Sequence, residues 1–343
     1  MPESGEASSP DAVDFPRHGG DLAFASEQFG VPADGWLDLS TGINPNPYPS
    51  PVIAGHQLAH LPDRGDLTEL LETARRAYDV PETVGLIAVP GSEVAARLVP
   101  VVAPPGAVAI VAPTYGAHVE AWRHAGRSIV EVASVDAIAG DVAFAVIGNP
   151  NNPDGRTTEP GVLADLARRL DAKGGFLVVD EAFADTAPDI SLVPHLVEAP
   201  ALVLRSFGKF YGLAGIRLGF VAGPKAVLDR LAALLGDWPV SSIAIAIGRT
   251  ALADGEWRNR KRRRLKNDAK RLRELLVRHR LTVKGGTDLF VLVEDAKAAA
   301  LYRGLAGRGI WTRVFASEPT WLRIGLPTEE GFARLDRALG QIR

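Results

Sequence analysis

Short uninterrupted apolar runs recur through the middle of the chain, at 107–111 (AVAIV), 142–147 (VAFAVI), 176–179 (FLVV) and 201–204 (ALVL). Runs of this length without polar alternation predict strands buried on both faces. With helical stretches between several of them, they predict an α/β fold built on a mostly parallel sheet. The segment 66–71 opens one helix, and Ser92 opens another directly after Pro90-Gly91. Farther on, Leu265, Ala269, Leu272 and Leu276 fall at i, i+4, i+7 and i+11, the apolar stripe of one long helix. Residues 281–343 alternate again between strand-like and helix-like stretches. The pattern therefore divides the chain into an N-terminal tail and arm at 1–36, a large domain at 37–240, and a connecting helix with a small C-terminal α/β domain at 241–343.

Each predicted strand runs into a polar or glycine-rich loop: PTYGAH, GNPNNPDG, DEAFAD and RSFGKFYG. In open α/β sheets a ligand sits beyond the carboxyl ends of the strands, so these loops are expected to converge on one site. The segment LDLSTGINPNPYPSP at 37–51 is too rich in proline for regular helix and predicts an extended path.

Composition narrows the function. At 343 residues, 46% hydrophobic and 23% charged, the chain is one large or two cooperating domains, which excludes a peptide hormone or a disordered chain. Cysteine is absent. That removes thiol nucleophiles, zinc–thiolate sites and disulfides, and makes the cytoplasm the expected compartment. A net charge of −3 offers no global field for nucleic acid or an anionic membrane, so the expected partner is a small molecule. The start MPESGEASSPDAVDF has no secretory pattern, and the apolar stretch 98–112 is cut by Pro and Gly below the roughly 20 residues of a membrane span. Residues 257–280 carry twelve Lys or Arg against Asp268 and Glu274, but the stripe within them assigns the charges to a solvated helix face. His56 and His60 share a metal-like spacing with no third ligand, so no metal is expected.

The strand-end residues suit a cofactor that carries an aldehyde, an aromatic ring nitrogen and a phosphate. An aldehyde requires an amine, and Lys209 lies just beyond the run 201–204. A ring nitrogen draws electrons best when protonated, and Asp180 at the end of 176–179 can hold that proton by a charged hydrogen bond. Gly91, Ser92 and Glu93 begin a helix whose free N–H groups form an anion site, while Ser206 and Arg217 add a hydroxyl and a guanidinium. Asn152 offers an amide to a ring hydroxyl, and Tyr115 a ring for stacking. Singly, each has an ordinary reading as a surface lysine, a helix cap or a turn. In order at four successive strand ends, they point to a single site.

The segment RSFGKFYGLAGIRLGF at 205–220, together with NPNNPDG and VVDEAFAD, resembles the fold type I pyridoxal-phosphate enzymes of the class I/II aminotransferase group, which contains histidinol-phosphate aminotransferase. The resemblance runs from about residue 18 onward. Within the group, HGGD at 18–21, LDLSTGINPNPYP at 37–49 and RSFGKF look like the threonine-phosphate decarboxylase branch of cobalamin biosynthesis. It implies pyridoxal 5'-phosphate as cofactor, Lys209 as the lysine that carries it, Asp180 at the ring nitrogen and Asn152 beside the ring oxygen. It places Ser92, Ser206 and Arg217 at the phosphate and Tyr115 against the ring, and it implies a homodimer. Three residues depart from the common pattern. Phe183 and Leu61 stand where many members have tyrosine, and Gly208 where many have Ser or Thr.

A substrate with an amine and anionic groups needs cationic or amide partners. Arg323 in TWLRIG resembles the arginine that holds the substrate carboxylate, and Arg313 in GIWTRVF is a second anion candidate. His18 and Asn44 come from the N-terminal segment, which in this branch folds over the active site. The expected activity is decarboxylation of O-phospho-L-threonine to (R)-1-amino-2-propanol phosphate. The alternative is an aminotransferase for histidinol phosphate or a related amino acid. A non-catalytic PLP-binding regulator is the distant third, for which the acidic stretch 1–36 offers no DNA-binding domain.

Overall fold

The protein is described by a computed structural model covering residues 18–49 and 55–342. The expected tail at 1–17 and the side chain of His56 lie outside the described residues. In chain order the first strands are β1 (Leu37–Asp38), β2 (Gly85–Val89), β3 (Val108–Val111), β4 (Ile129–Val132), β5 (Phe144–Gly148), β6 (Phe176–Asp180), β7 (Ala201–Ser206) and β8 (Gly219–Gly223). The four apolar runs are β3, β5, β6 and β7. They are inner strands of a seven-stranded sheet ordered β2-β8-β7-β6-β5-β3-β4. β8 runs antiparallel to β2 and β7, and the other contacts are parallel.

Both faces of this sheet are covered, as uninterrupted apolar runs require. In β7, Ala201 and Val203 join one apolar cluster while Leu202 and Leu204 join the other. From β3 the chain goes outward to β4 and returns on the opposite side to β5. That reversal of strand order opens a crevice beyond the carboxyl ends of the strands.

The remaining strands are β9 (Thr282–Gly286), β10 (Phe290–Glu294), β11 (Ile310–Trp311), β12 (Arg313–Phe315) and β13 (Glu318–Gly325). Four of them form an antiparallel sheet ordered β12-β13-β10-β9, while β11 pairs in parallel with β1. The N-terminal arm is built onto this C-terminal part. Phe24 and Phe29 of the helix Leu22–Phe29 pack on Trp311 with ring centroids 6.2 and 6.0 Å apart, and Gly325 N donates to Leu39 O at 2.7 Å. The β1–β11 pairing therefore joins the start of the expected domain 37–240 to the expected domain 241–343.

The helix Arg64–Ala77 starts two residues before the expected Asp66. Asp63 caps it, accepting from Gly65 N and Asp66 N at 2.7 and 3.3 Å. The basic stretch is the 24-residue helix Gly255–Arg278. Leu265, Ala269, Leu272 and Leu276 are all buried on its inner face. Its cations meet partners along the fold: Arg271 pairs with Glu329 at 2.7 Å, Arg278 with Asp336 at 3.0 Å, and Arg262 donates to Asp185 O at 2.7 Å.

Candidate active site

The strand-end loops surround a cavity of about 330 Å³. Eleven of the thirteen expected site residues line it, from His18 at its mouth to Arg323. Among them, the carboxyl ends of β6 and β7 supply Asp180 and Ser206, the loop after β5 supplies Asn152, and the one after β3 supplies Tyr115.

Asp180 is held from two sides. Its Oδ2 meets His118 Nε2 at 2.9 Å, and its Oδ1 accepts from Ala182 N at 3.1 Å. His118 is buried and lies one helical turn beyond Tyr115, whose ring it meets edge-on at 6.0 Å. The sequence reading does not single out His118. Its position in PTYGAH, three residues after the stacking tyrosine on a helix that starts at a strand end, was the available signal.

Lys209 lies in the short helix Phe207–Phe210 after β7, its amine 6.0 Å from the centre of the Phe183 ring. Burial lowers its pKa to about 8; Arg323 and Arg217 push the same way and Asp180 opposes them. Arg323 is itself brought down to about 10, first by burial and then by neighbouring Arg313. An amine so placed is ready to lose its charge, and a guanidinium so placed to meet an anion.

At the other end of the cavity, the helix Ser92–Val102 begins with no side-chain cap on its N–H groups. Gly91 sits at φ +89°, and a Cβ there would lie 2.6 Å from Arg217 Nη2. Only glycine lets the guanidinium come this close. Arg217 adopts a left-handed backbone (φ 54°), a conformation that costs a non-glycine residue about 1–2 kcal/mol. Glu93 also lines the cavity, with its carboxylate accepting from Arg97 Nε at 3.1 Å.

Asn152 Oδ1 accepts from Arg323 Nη1 at 2.5 Å, and Arg323 Nη2 donates to Ser40 O at 2.6 Å. The neighbouring asparagines serve the loop instead: Asn151 donates to Pro113 O at 2.9 Å and Asn149 to Thr158 O at 3.1 Å.

Asn44 and Arg313 do not line the cavity. Asn44 is buried and its amide is committed to the backbone, donating to Phe210 O at 2.8 Å and accepting from Asn46 N at 3.0 Å. It braces the Lys209 helix from outside, with its own N–H on Lys209 O at 2.9 Å. Arg313 stacks its guanidinium 5.5 Å from the Phe315 ring, within electrostatic range of Arg323 and Tyr115. Of the three departures, Phe183 forms a wall of the cavity and Leu61 is 67% exposed. Gly208 has a steric reason, because a Cβ there would stand 2.6 Å from Ala214 Cα.

These residues fit the expected cofactor. The uncapped helix end beside Arg217 and Ser206 suits a phosphate, the anchored Asp180 suits a ring nitrogen, and the low-pKa amine of Lys209 suits an aldehyde. The buried Nε of Arg323 has no hydrogen-bond partner.

Comparison with known proteins agrees. A threonine-phosphate decarboxylase of Pseudomonas aeruginosa is 41% identical over 326 residues, covering 94% of this chain and 97% of that protein. Another, from a Sinorhizobium species, is 40% identical over 328 residues, covering 95% and 98%. The solved histidinol-phosphate aminotransferase of Sinorhizobium meliloti, in complex with pyridoxal-5'-phosphate, superposes with a TM-score of 0.79 at 20% identity, over 99% of this chain and 98% of that one. The model of the family described as aminotransferase class I and II matches residues 54–339, so this chain, with Lys209 and Asp180 at the strand ends, belongs to that family.

Proposed function

We propose that the protein is a pyridoxal-phosphate-dependent carboxy-lyase that converts O-phospho-L-threonine to (R)-1-amino-2-propanol phosphate and carbon dioxide, a step of cobalamin biosynthesis. One observation carries this choice of reaction: near full-length similarity to two proteins named threonine-phosphate decarboxylase. When bound, pyridoxal phosphate supplies an electron-accepting ring conjugated to the substrate Cα.

The chain's own residues do the rest. Ser92 N–H, Ser206 and Arg217 hold the cofactor phosphate. Asp180, oriented by His118 and Ala182 N, keeps a proton on the ring nitrogen through a charge-assisted hydrogen bond. Lys209 would carry the cofactor, and with substrate bound in its place the protonated Lys209 amine would donate to Cα the proton that replaces the departing carboxylate. A pKa of about 8 lets it exchange that proton near neutrality. Arg323, with Arg313 and His18 nearby, holds the substrate carboxylate and phosphate. Which Cα bond breaks depends on how these groups orient the substrate.

The same reading includes a cytoplasmic homodimer. Exposed apolar Leu58, Leu61 and Trp238 offer surface for a second copy to cover, and light scattering of the purified protein tests the dimer. Among the described residues, no helix is long and apolar enough to cross a membrane.

The deciding experiment incubates the PLP-loaded protein with O-phospho-L-threonine, with and without 2-oxoglutarate, and follows carbon dioxide, aminopropanol phosphate and glutamate. Carbon dioxide with aminopropanol phosphate, independent of the keto acid, is the expected result. Glutamate without carbon dioxide would establish the second reading, an aminotransferase. The absence of both products would overturn the proposed substrate.

A further inference from the structure

Arg205, Glu181 and Asp185 form a buried charge cluster behind the cavity. Side chains alternate across a strand, so as Asp180 and Ser206 at the ends of β6 and β7 face the cavity, their neighbours Glu181 and Arg205 face the other side of the sheet. There Arg205 Nη1 donates to Glu181 Oε2 at 2.7 Å and Nη2 to Asp185 Oδ1 at 2.9 Å. The three side chains are 5%, 0% and 2% exposed. Glu181 accepts two further bonds, from Ser191 Oγ at 2.6 Å and Leu192 N at 2.7 Å. The Arg205 guanidinium lies 4.4 Å from the centre of the Tyr78 ring.

Stability alone explains such a cluster poorly. Desolvating three charges offsets most of their attraction, and a well-packed apolar replacement is often as stable. The cluster is also imperfect, since Arg205 Nε and Asp185 Oδ2 are buried without a partner. Its placement is the informative feature. Glu181 directly follows Asp180, Arg205 directly precedes Ser206, Asp185 comes two residues after Phe183, and Lys209 comes four after Arg205. Glu181 N also donates to Leu204 O at 2.9 Å, so backbone and side chain together tie the end of β6 to β7.

We propose that Arg205 is a positioning residue: by gripping Glu181 and Asp185 from β7, it fixes the spacing of Asp180, Ser206 and Lys209 on the opposite face. This rests on the cofactor reading above. Three variants test it: Arg205→Met, Glu181→Gln and the conservative Arg205→Lys. For each, pyridoxal phosphate affinity, the visible absorption of the bound cofactor and the melting temperature of the cofactor-free protein are measured.

Arg205→Met and Glu181→Gln are expected to weaken pyridoxal phosphate about ten- to a hundredfold and to alter the visible bands, as loss of groups that orient a ligating residue does elsewhere. Arg205→Lys keeps the charge and recovers part of that loss. Unchanged affinity with an unchanged spectrum overturns the proposal. So does an affinity loss accounted for by the unfolded fraction. If Arg205→Met does not fold, Glu181→Gln decides alone, because it preserves the side chain's size and its capacity to bond Ser191 and Leu192. Failure of the unaltered protein to bind pyridoxal phosphate would instead defeat the cofactor reading, so the two failures are distinct.

Discussion

Arg323 Nη1 donates to Asn152 Oδ1 at 2.5 Å, joining β13 of the C-terminal sheet to the loop after β5. Through Nη2 on Ser40 O, the same guanidinium also holds the N-terminal segment. With its Oδ1 engaged, Asn152 keeps its amide N–H groups for another acceptor in the cavity, which the cofactor's ring hydroxyl would provide. Asn152→Asp exchanges that donor for a carboxylate that pairs with Arg323. Turnover of O-phospho-L-threonine is expected to fall about ten- to a hundredfold, with circular dichroism unchanged. Turnover at the unaltered level would remove Asn152 from the reaction.

His118 holds Asp180 at 2.9 Å and is almost completely buried. His118→Phe keeps an aromatic ring in that space and removes the nitrogen. Asp180 then loses one of its two anchors, and kcat is expected to drop about tenfold or more with a smaller change in KM. A change in KM alone would place His118 at the substrate instead.

A Lys209 pKa of about 8 has two consequences of definite sign. Only the neutral amine captures an aldehyde, so cofactor loading of the stripped protein is expected to speed up with pH and level off above about 8, where an ordinary lysine would continue to about 10.5. Because Arg323 contributes to the shift, Arg323→Met should move that midpoint upward. The second consequence concerns stability. The unfolded chain binds this proton more tightly than the folded one, so folding is penalised as pH falls below the ordinary lysine pKa, and fully so below about 8. Lys209→Met is therefore expected to stabilise the cofactor-free protein at neutral pH by about 3 kcal/mol, a gain that fades toward pH 10. Denaturant unfolding at pH 7 and pH 10 checks both limits.

The strands were legible because a parallel sheet buried on both faces fills the bodies of β3, β5, β6 and β7 with apolar residues, leaving polar ones only at the carboxyl ends of β6 and β7. The chemistry at their ends was legible as an ordered series. What the sequence concealed depends on distant pairing. Nothing local in Leu37 and Asp38 announces that they pair with Ile310 and Trp311. Asn44 reads as an active-site amide from its place in the N-terminal segment, yet its partner is a carbonyl 166 positions away. His118 carries no spacing motif with Asp180, 62 positions on, and only the return of the chain from β4 to β5 brings them together. Nothing local marks Glu181 and Arg205 as partners, because the face a strand residue takes is fixed only once the register is known.

Gly208 provides the sharpest test of a steric reading. Many members of the resembled family carry Ser or Thr just before the lysine, which makes Gly208→Ser a plausible restoration. The structure opposes it. A Cβ at 208 would lie 2.6 Å from Ala214 Cα and 3.1 Å from Ala214 N, backbone atoms that cannot swing aside as a long side chain does. The segment at Ala214 also leads to Arg217, so moving it disturbs the phosphate end of the cavity and Lys209 together. Gly208→Ala and Gly208→Ser are both expected to cost about 1–3 kcal/mol in thermal or denaturant unfolding and to weaken pyridoxal phosphate. Equal losses identify the first side-chain carbon as the cause. A neutral alanine beside a damaging serine would trace the effect to the hydroxyl, and full stability in both would show that the Ala214 segment yields.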